Sequence, residues 1–471
     1  MIYVKIDKQS NQNYIYQQIY EGIKVNILEG RMKPDEKLPS KRNLADQLNV
    51  SVNSVMNAYE QLLAEGYIYT SERKGYYVES ITRFLHNENS IKKPLPQDLK
   101  EKSKNHEGWL SLSHMTADIS LFPFKEWLKC QQKALSLHKR ELSEIPNPQG
   151  PYIVRRTICR LIALTRGVIC EPEQVVLGSG TMSLIQQLMV TQNNNAVVAL
   201  EDPGYFRLYS LLKKMGFNVN PVGLDDRGIK IEEVDSLTAD FTFVTPSHQF
   251  PTGKIMPISR RIELLNWAAS SGDRYIVEDD YDSEFKYKTD SIPALQSLDR
   301  NQRVIYTGSF SKTMLPGLRI SYMVLPPDLL REFRRYHTDL IQSSNSLNLF
   351  TLHYFIENGE YSRHVKRMNH LYETKRKMLI KELQDRFKSN VEIDDIPAGL
   401  HLLAHFKTTK SYEEIETRAK EQKLEIYTMK RFLLEKEYES NNKIDLIIGF
   451  ANIQEEKIAE AVDRLFSVLG T

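Results

Sequence analysis

The sequence predicts an α/β chain in two parts: a small winged helical domain, then a larger domain built on a mixed, mostly parallel sheet. Three observations predict it. Residues 1–80 carry three amphipathic helical patterns followed by a hairpin pattern. From Trp109 onward short apolar runs alternate with helical stretches. Between them, residues 81–107 hold Asn, Ser, Lys, Pro94 and Pro96 with only scattered apolar positions, and read as an extended linker. A length of 471 residues agrees, being too great for one ordinary core.

In the first part, Ile15, Ile19, Ile23 and Ile27 recur every four residues, so a helix is expected from about Tyr14 to Leu28, closed by Gly30. Ser40 is a candidate N-cap for a second helix that turns Leu44, Ala45 and Leu48 inward. Asn49-Val50 makes a tight turn. Ser51 caps a third helix running to Glu65, with Gly66 at its end. Tyr67–Tyr69 and Tyr76–Val78 then read as two strands around Glu72-Arg73-Lys74-Gly75.

In the second part, Gln174–Leu177, Ala196–Leu200, Phe241–Val244, Tyr275–Val277 and Val304–Tyr306 are apolar runs that end in polar loops. In a parallel sheet, ligand chemistry collects at such strand ends. A large subdomain is expected over about 108–330. A smaller one over about 331–471 contains strands at Ala398–Phe406 and Ile444–Phe450.

Composition narrows the classes. With 41% hydrophobic and 26% charged residues the chain reads as globular, and a net charge of +2 excludes a basic nucleic-acid coat. Cys130, Cys159 and Cys170 form no CxxC pair and lie near no His cluster of zinc spacing, so no metal is expected and the thiols read as idle. No secretory pattern opens the chain and no apolar run reaches membrane-spanning length, so a cytoplasmic protein without membrane contact is expected.

Two short helices across a tight turn, followed by a two-stranded wing, make a winged helix-turn-helix, whose third helix would read double-stranded DNA. Ser51, Asn53, Ser54 and Asn57 on its first turns suit base edges or phosphates. Lys37, Lys41 and Arg42 near the second helix and Arg73 and Lys74 at the wing tip suit phosphates. The plainer reading is a helical protein-interaction module with a solvated charged face. Residues 1–80 hold ten Lys plus Arg and ten Asp plus Glu, so only the placement of the basic residues favours DNA. The stretches Leu38-Pro39-Ser40-Lys41-Arg42-Asn43-Leu44-Ala45, Val50-Ser51, Ala58-Tyr59-Glu60-Gln61-Leu62 and Glu65-Gly66-Tyr67 resemble the GntR family of bacterial regulators. That family usually has an Arg after the capping Ser; here it is Val52.

The second part offers every group that pyridoxal 5'-phosphate needs: a lysine amine, a carboxylate for the pyridine nitrogen, a phosphate cradle and a group over the ring. Lys312 lies in Thr307-Gly308-Ser309-Phe310-Ser311-Lys312, flanked by the hydroxyls of Ser309 and Ser311, with Arg319 seven residues on as a phosphate ligand. Asp279 ends a strand and suits the pyridine nitrogen, and Tyr281 suits the ring oxygen. Ser179, Gly180 and Thr181 open a helix whose amides suit the phosphate. Tyr205 suits the ring face. Each has a plainer alternative: a surface lysine, a tight Gly-Ser-Gly turn, a packing tyrosine, or a magnesium site in Glu278-Asp279-Asp280-Tyr281-Asp282.

In this order, Ser309-Phe310-Ser311-Lys312, Pro316-Gly317-Leu318-Arg319, Glu278-Asp279-Asp280-Tyr281 and Pro251-Thr252-Gly253 resemble the fold-type-I aminotransferases. A GntR-type reader joined to such a domain resembles the MocR regulators, and within them the GABA-responsive, GabR-like members. Further segments carry that likeness: Ser113-His114-Met115, Asn147-Pro148-Gln149-Gly150, Thr245–Pro251 and Asp290–Leu298. The resemblance implies that Lys312 holds the cofactor as a Schiff base. An effector amine, γ-aminobutyrate (GABA), would form an external aldimine, free Lys312 and alter DNA binding. It also implies a head-to-tail homodimer, and Arg207 and Arg431 as partners of the effector carboxylate. Two positions depart from the enzymes: Phe250 replaces an Asn that binds the ring oxygen, and Ile447 replaces an Arg that clamps the substrate α-carboxylate. These departures favour a sensor with at most a residual transaminase half-reaction. A working aminotransferase with an appended DNA-binding domain is the alternative.

Overall fold

The computed structural model describes residues 4, 6–7, 14–81, 94–101, 107–114, 118–287, 292–435 and 442–470. The chain divides into two compact units, residues 1–105 and 106–471. Much of the expected linker, residues 82–93 and 102–106, lies outside the described residues, as do Met115 and Asp290-Ser291.

In the first unit the helices are Ile15–Leu28, Lys41–Leu48 and Val52–Ala64. Local chemistry sets their ends. The Ser40 hydroxyl accepts from the Asn43 amide at 3.2 Å, and Ser51 accepts from the Ser54 amide at 3.1 Å. Each such cap contributes about 1 kcal/mol. Asn49 takes a left-handed conformation (φ 50°), which turns the chain between the second and third helices. Ile19, Ile23, Leu44, Val55, Tyr59 and Leu62 form the centre of the core. The wing strands Ile68–Ser71 and Gly75–Val78 pair antiparallel, Ile68 opposite Val78.

In the second unit an eight-stranded sheet runs in the order Val175–Gly178, Ser321–Val324, Val304–Ser309, Tyr275–Asp280, Phe241–Val244, Val197–Asp202, Asn218–Asp225 and Gly228–Ile229. Ser321–Val324 and the edge strand Gly228–Ile229 run antiparallel to their neighbours; the other six share one direction. Alternate residues bury on opposite faces: Val277 and Ile305 enter one core cluster, Ile276 and Val304 another. Burial on both faces explains why these strands read as continuous apolar runs. Asn218–Asp225 and Ser321–Val324 were not expected, because Asn, Pro and Ser interrupt their apolar pattern.

The expected strands are present, but three run further than their apolar residues. Tyr275–Val277 continues to Asp280 and Val304–Tyr306 to Ser309, and the two stay paired through Thr307 opposite Asp279. Ala196–Leu200 likewise becomes Val197–Asp202. Backbone pairing with the neighbouring strands carries these polar residues to the end of the ladder.

A second, antiparallel sheet lies in the C-terminal part: Val391–Asp394, His401–Lys407, Lys443–Gly449 and Tyr427–Thr428. The segment leading to His114 also belongs there. Leu110–Ser111 pairs in parallel with Leu424–Glu425, and Gly449 N–H donates to Leu112 O at 2.8 Å. Among the described residues no helix is long and apolar enough to cross a membrane.

Candidate functional site

On the N-terminal unit the polar groups expected to meet DNA lie at the surface. Asn53, Arg42, Arg73 and Lys74 are exposed. Ser51 and Ser54 bond to each other (2.8 Å between hydroxyls) as part of the cap, so both are fixed. Lys41 is half-buried, its ammonium 5.4 Å from the Tyr76 ring of the wing. Arg73 sits at the wing tip with φ 59°. Val52 is 42% exposed at the start of the third helix, an apolar contact where the family pattern has a cation.

In the second unit the C-terminal ends of the parallel strands bring the predicted residues together. Glu278-Asp279-Asp280 lies in a strand, so its carboxylates alternate between faces. Glu278 accepts the amides of Leu295 and Gln296 at 2.7 and 2.9 Å. Asp280 accepts from Arg166 at 2.7 Å and from Tyr306 at 2.5 Å on that same side. Asp279 points the other way and accepts from Thr307 at 3.0 Å. The run therefore does not converge on a cation, and the magnesium alternative has no geometry here. Burial pushes the Asp279 carboxyl up to about 7, opposed by the Thr307 hydrogen bond and reinforced by Asp280 and Asp282. A cationic partner such as a pyridinium would return it to its ionised form.

Lys312 is half-buried and donates to the His114 carbonyl at 2.5 Å. Burial lowers its ammonium to about 8, with Asp282 opposing. Tyr205 is raised by burial and lies within electrostatic reach of Arg207, Asp279 and Arg319. One tyrosine thus ties three of the predicted site residues into one place. Arg207 also acts on His114 beside Lys312.

The phosphate cradle is built by two elements. Gly180 N-caps the helix Thr181–Met189 with φ 134°, and a Cβ there would overlap the Arg319 guanidinium. Arg319 itself is left-handed (φ 54°), which turns its side chain back toward Gly180. Half-buried Ser179 and Thr181 flank the glycine. The Ser309 and Ser311 hydroxyls bond at 2.9 Å, and Ser321 reaches Ser309 at 3.1 Å. First-turn amides, an arginine and hydroxyls form a donor set that fits a phosphate dianion. With Asp279 and Lys312 on the same strand ends, the residues present fit pyridoxal phosphate.

Arg431 lies 5.4 Å from the Tyr427 ring, and its guanidinium is paired with Glu416 at 3.0 Å. Its neighbour Lys430 pairs with Glu413. Phe250 packs edge-on against Tyr281, Tyr205 and Phe432. Ile447 is buried with Leu403, Met429 and Phe432. Both departures from the enzyme pattern are therefore absorbed into one apolar wall.

Four residues beside this wall carry no cofactor or effector role in the sequence motifs, Asp282 belonging only to the acidic run 278–282. His114 is 4% exposed, and neither ring nitrogen has a hydrogen-bond partner among the described residues. Its ring packs against Phe250, Tyr427 and Phe432, and burial lowers it to about 3. His248, Asp282 and His401 form a buried group whose ligand-type atoms lie within 4.8 Å of one another. Their signals in the sequence are weak: histidine in the segments Ser113–Met115 and Thr245–Pro251, in a chain with 11 histidines, and Asp282 at the end of the acidic run.

Residues 15–78 match the family of bacterial regulatory proteins, gntR family, and residues 109–465 match aminotransferase class I and II. The chain is 36% identical over 452 residues to the uncharacterized HTH-type transcriptional regulator YdeL of Bacillus subtilis (strain 168), covering 96% of each. It is 28% identical over 473 residues to the probable rhizopine catabolism regulatory protein MocR of Rhizobium meliloti, covering 96% of this chain and 93% of that one. The chain belongs to the MocR type of GntR transcription regulators. Among solved structures, the MocR-type chain shares its fold with LysN, the α-aminoadipate aminotransferase of Thermus thermophilus. The TM-score is 0.68, with 23% identity and coverage of 77% of this chain and 92% of that one. A MocR-type regulator binds DNA through its GntR domain. Its aminotransferase domain is of the pyridoxal-phosphate-dependent class.

Proposed function

We propose that this MocR-type regulator senses a small amino acid whose amine competes with Lys312 for pyridoxal phosphate, and that the exchange alters DNA binding. The observation that carries the reading is the pair of positions Ile447 and Arg207. Ile447 is apolar and buried where an enzyme of this fold holds the α-carboxylate. Arg207 instead supplies a cation that acts electrostatically on Tyr205 and, like Lys312, on His114. A carboxylate held away from the α position suits an ω-amino acid, and GABA is the proposed effector.

Bound pyridoxal phosphate supplies an aldehyde carbon that condenses with a primary amine. The protein's residues do the rest. Lys312, with its ammonium lowered to about 8, keeps a usable fraction of neutral amine near physiological pH. When an effector amine takes its place, the freed Lys312 has the His114 carbonyl as acceptor. Arg207 orients the effector carboxylate. Arg431 joins it only by leaving Glu416. Ser179, Gly180, Thr181, Ser309, Ser311 and Arg319 would hold the phosphate, and Asp279 and Tyr281 would hold the ring.

We further propose a homodimer, arranged head-to-tail, with residues 1–80 as reader, 81–107 as linker and 108–471 as sensor. Exposed Leu128, Leu135, Leu137, Tyr152, Leu164 and Ile169 supply apolar surface for a second copy. Two readers would then grip two half-sites. The test is a spectral titration of the cofactor-loaded protein with GABA and with α-amino acids, read beside operator binding. A spectral change and an operator response to GABA are expected. A response to an α-amino acid alone sinks the ligand assignment, and sustained transamination at ordinary enzyme rates sinks the sensor reading. The complete set Lys312, Asp279, Tyr281 and Arg319 is what favours that second, enzymatic reading.

A further inference from the structure

We propose that His248 and Asp282 are positioning residues that aim the Tyr281 hydroxyl proton at the cofactor ring oxygen, by holding His248 with its proton on Nδ1. The inference rests on the proposed placement of Tyr281 on that oxygen.

The geometry is unusual in one respect: a single nitrogen has two partners. His248 Nδ1 lies 2.9 Å from Asp282 Oδ2 and 3.0 Å from the Tyr281 hydroxyl oxygen. A nitrogen carrying a proton can share it between two oxygens. A nitrogen carrying a lone pair can accept from Tyr281 but then faces the Asp282 carboxylate without a proton between them. The side chains of His248 and Asp282 are each only 2% exposed, so water cannot relieve that repulsion. The other ring nitrogen points the same way. His248 Nε2 is buried with no partner among the described residues, and a proton placed there would have no acceptor among them.

With Nδ1 as donor, the Tyr281 oxygen becomes its acceptor. The hydroxyl proton of Tyr281 is then not used on His248 and is available to the site. With Nδ1 as acceptor, the Tyr281 proton would point backward, and the cofactor would lose it. Asp282 therefore decides the direction of a proton it does not touch.

The fold makes room for this pair at two glycines. A Cβ at Gly399 (φ 71°) would overlap the His248 ring and crowd Asp282 Oδ2. A Cβ at Gly253 (φ 75°), in the segment Pro251-Thr252-Gly253, would come within 3.2 Å of His248 Nε2. His401 covers the ring from a third side at 4.8 Å between centroids, its own Nε2–H donating to the Pro251 carbonyl at 3.1 Å. The two glycines and His401 thus leave the imidazole room to lie against both Asp282 and Tyr281. The titratable groups that act on Tyr281 are Asp282, Asp279, Glu201 and Asp280. Lys312, His401 and His114 belong to the same surroundings.

A donor on the ring oxygen weakens that oxygen as a base, so it holds down the pH at which the cofactor-loaded protein loses its long-wavelength absorption. The test compares that midpoint in the full-length wild type, Tyr281→Phe, Asp282→Ala and the double variant Asp282→Ala/His248→Ala. Tyr281→Phe is expected to raise the midpoint by about one pH unit, a tenfold change in the proton equilibrium. Asp282→Ala should raise it similarly, because His248 becomes free to accept from Tyr281. Removing His248 as well should bring the midpoint back toward wild type, since the competing acceptor is gone. A merely structural pair predicts the opposite, with the double variant worst. In the cofactor-free chain, nitrogen-15 spectra of labelled histidines should show His248 protonated at Nδ1 and, in Asp282→Ala, at Nε2.

An unmoved midpoint in Asp282→Ala, or a wild-type His248 protonated at Nε2 only, overturns the proposal. If Tyr281→Phe itself leaves the midpoint unchanged, the placement of Tyr281 on the ring oxygen fails and the proposal with it. The nitrogen spectra would still report the tautomer separately. Stoichiometric capture of added zinc by the cofactor-free chain, lost in His401→Gln, would make the group a metal site and also overturn it.

Discussion

The Lys312 side chain donates to the main-chain carbonyl of His114 at 2.5 Å, across 198 residues of sequence. The candidate cofactor lysine is thus tied to a segment that pairs with Leu424–Glu425 and whose Leu112 carbonyl accepts from Gly449 of the C-terminal sheet.

That contact sits in a buried setting, and the lowered ammonium has a pH signature. The folded lysine loses its proton near pH 8 and an unfolded one near pH 10.4. Between those values the unfolded chain holds the extra proton, so stability of the cofactor-free protein rises with pH across that window. Below pH 8 the burial cost is fully present; above about 10.4 it is gone. Thermal melts from pH 7 to 10.5 should show this rise, and Lys312→Met should remove it. Cofactor reloading should accelerate through pH 8 in the wild type, following the neutral amine.

Arg166 is the structural counterpart of the site. Its guanidinium is buried and meets Asp280 at 2.7 Å and the Ser247 hydroxyl at 2.5 Å. Arg166→Ala leaves the Asp280 carboxylate buried without its cation, which costs about 3–5 kcal/mol. A urea unfolding curve should move to a lower midpoint. An unchanged midpoint would show that the Arg166–Asp280 pair adds nothing to stability.

The two arginines proposed for the effector carboxylate separate by their present partners. Arg207→Ala should weaken GABA binding by roughly 10- to 100-fold, the loss expected of a charged hydrogen bond. Glu416→Ala releases Arg431 from its 3.0 Å ion pair. If Arg431 also serves the carboxylate, that variant binds the effector more tightly than wild type. Equilibrium titration of both variants decides between one arginine and two.

On the DNA side, Arg73→Ala and Lys74→Ala at the exposed wing tip should each reduce the salt dependence of operator binding by about one unit, whatever the operator sequence. Asn53→Ala should instead change the discrimination among operators, as a group at the start of the reading helix does. Competition binding at several salt concentrations checks both.

How much of this was legible in the sequence depends on the range of the interaction. The caps Ser40 and Ser51 and the turn at Asn49 act within a few residues, so the helices of the N-terminal unit could be placed almost to the residue. The strand ends were underestimated because Asp279 and Ser309 owe their pairing to neighbouring strands rather than to their own propensity. The candidate cofactor residues could be picked out because each belongs to a motif with fixed local spacing. His248, Asp282 and His401 could not, because nothing local brings residues 248 and 401 side by side. Likewise the Cys159 and Cys170 thiols, which form no sequence motif, lie 3.5 Å apart.

The pairing of Leu110–Ser111 with Leu424–Glu425 also bears on how the protein is made. The ribosome releases residues 110–114 more than three hundred residues before their partners, since the Ser111–Glu425 contact alone spans 314 positions. The DNA-binding unit, with short-range contacts, can fold while translation continues. The His114 carbonyl gains its support only when the last strand emerges. A nascent or truncated chain would therefore carry a finished reader before it carries a finished sensor, and any such fragment would meet DNA deaf to its ligand.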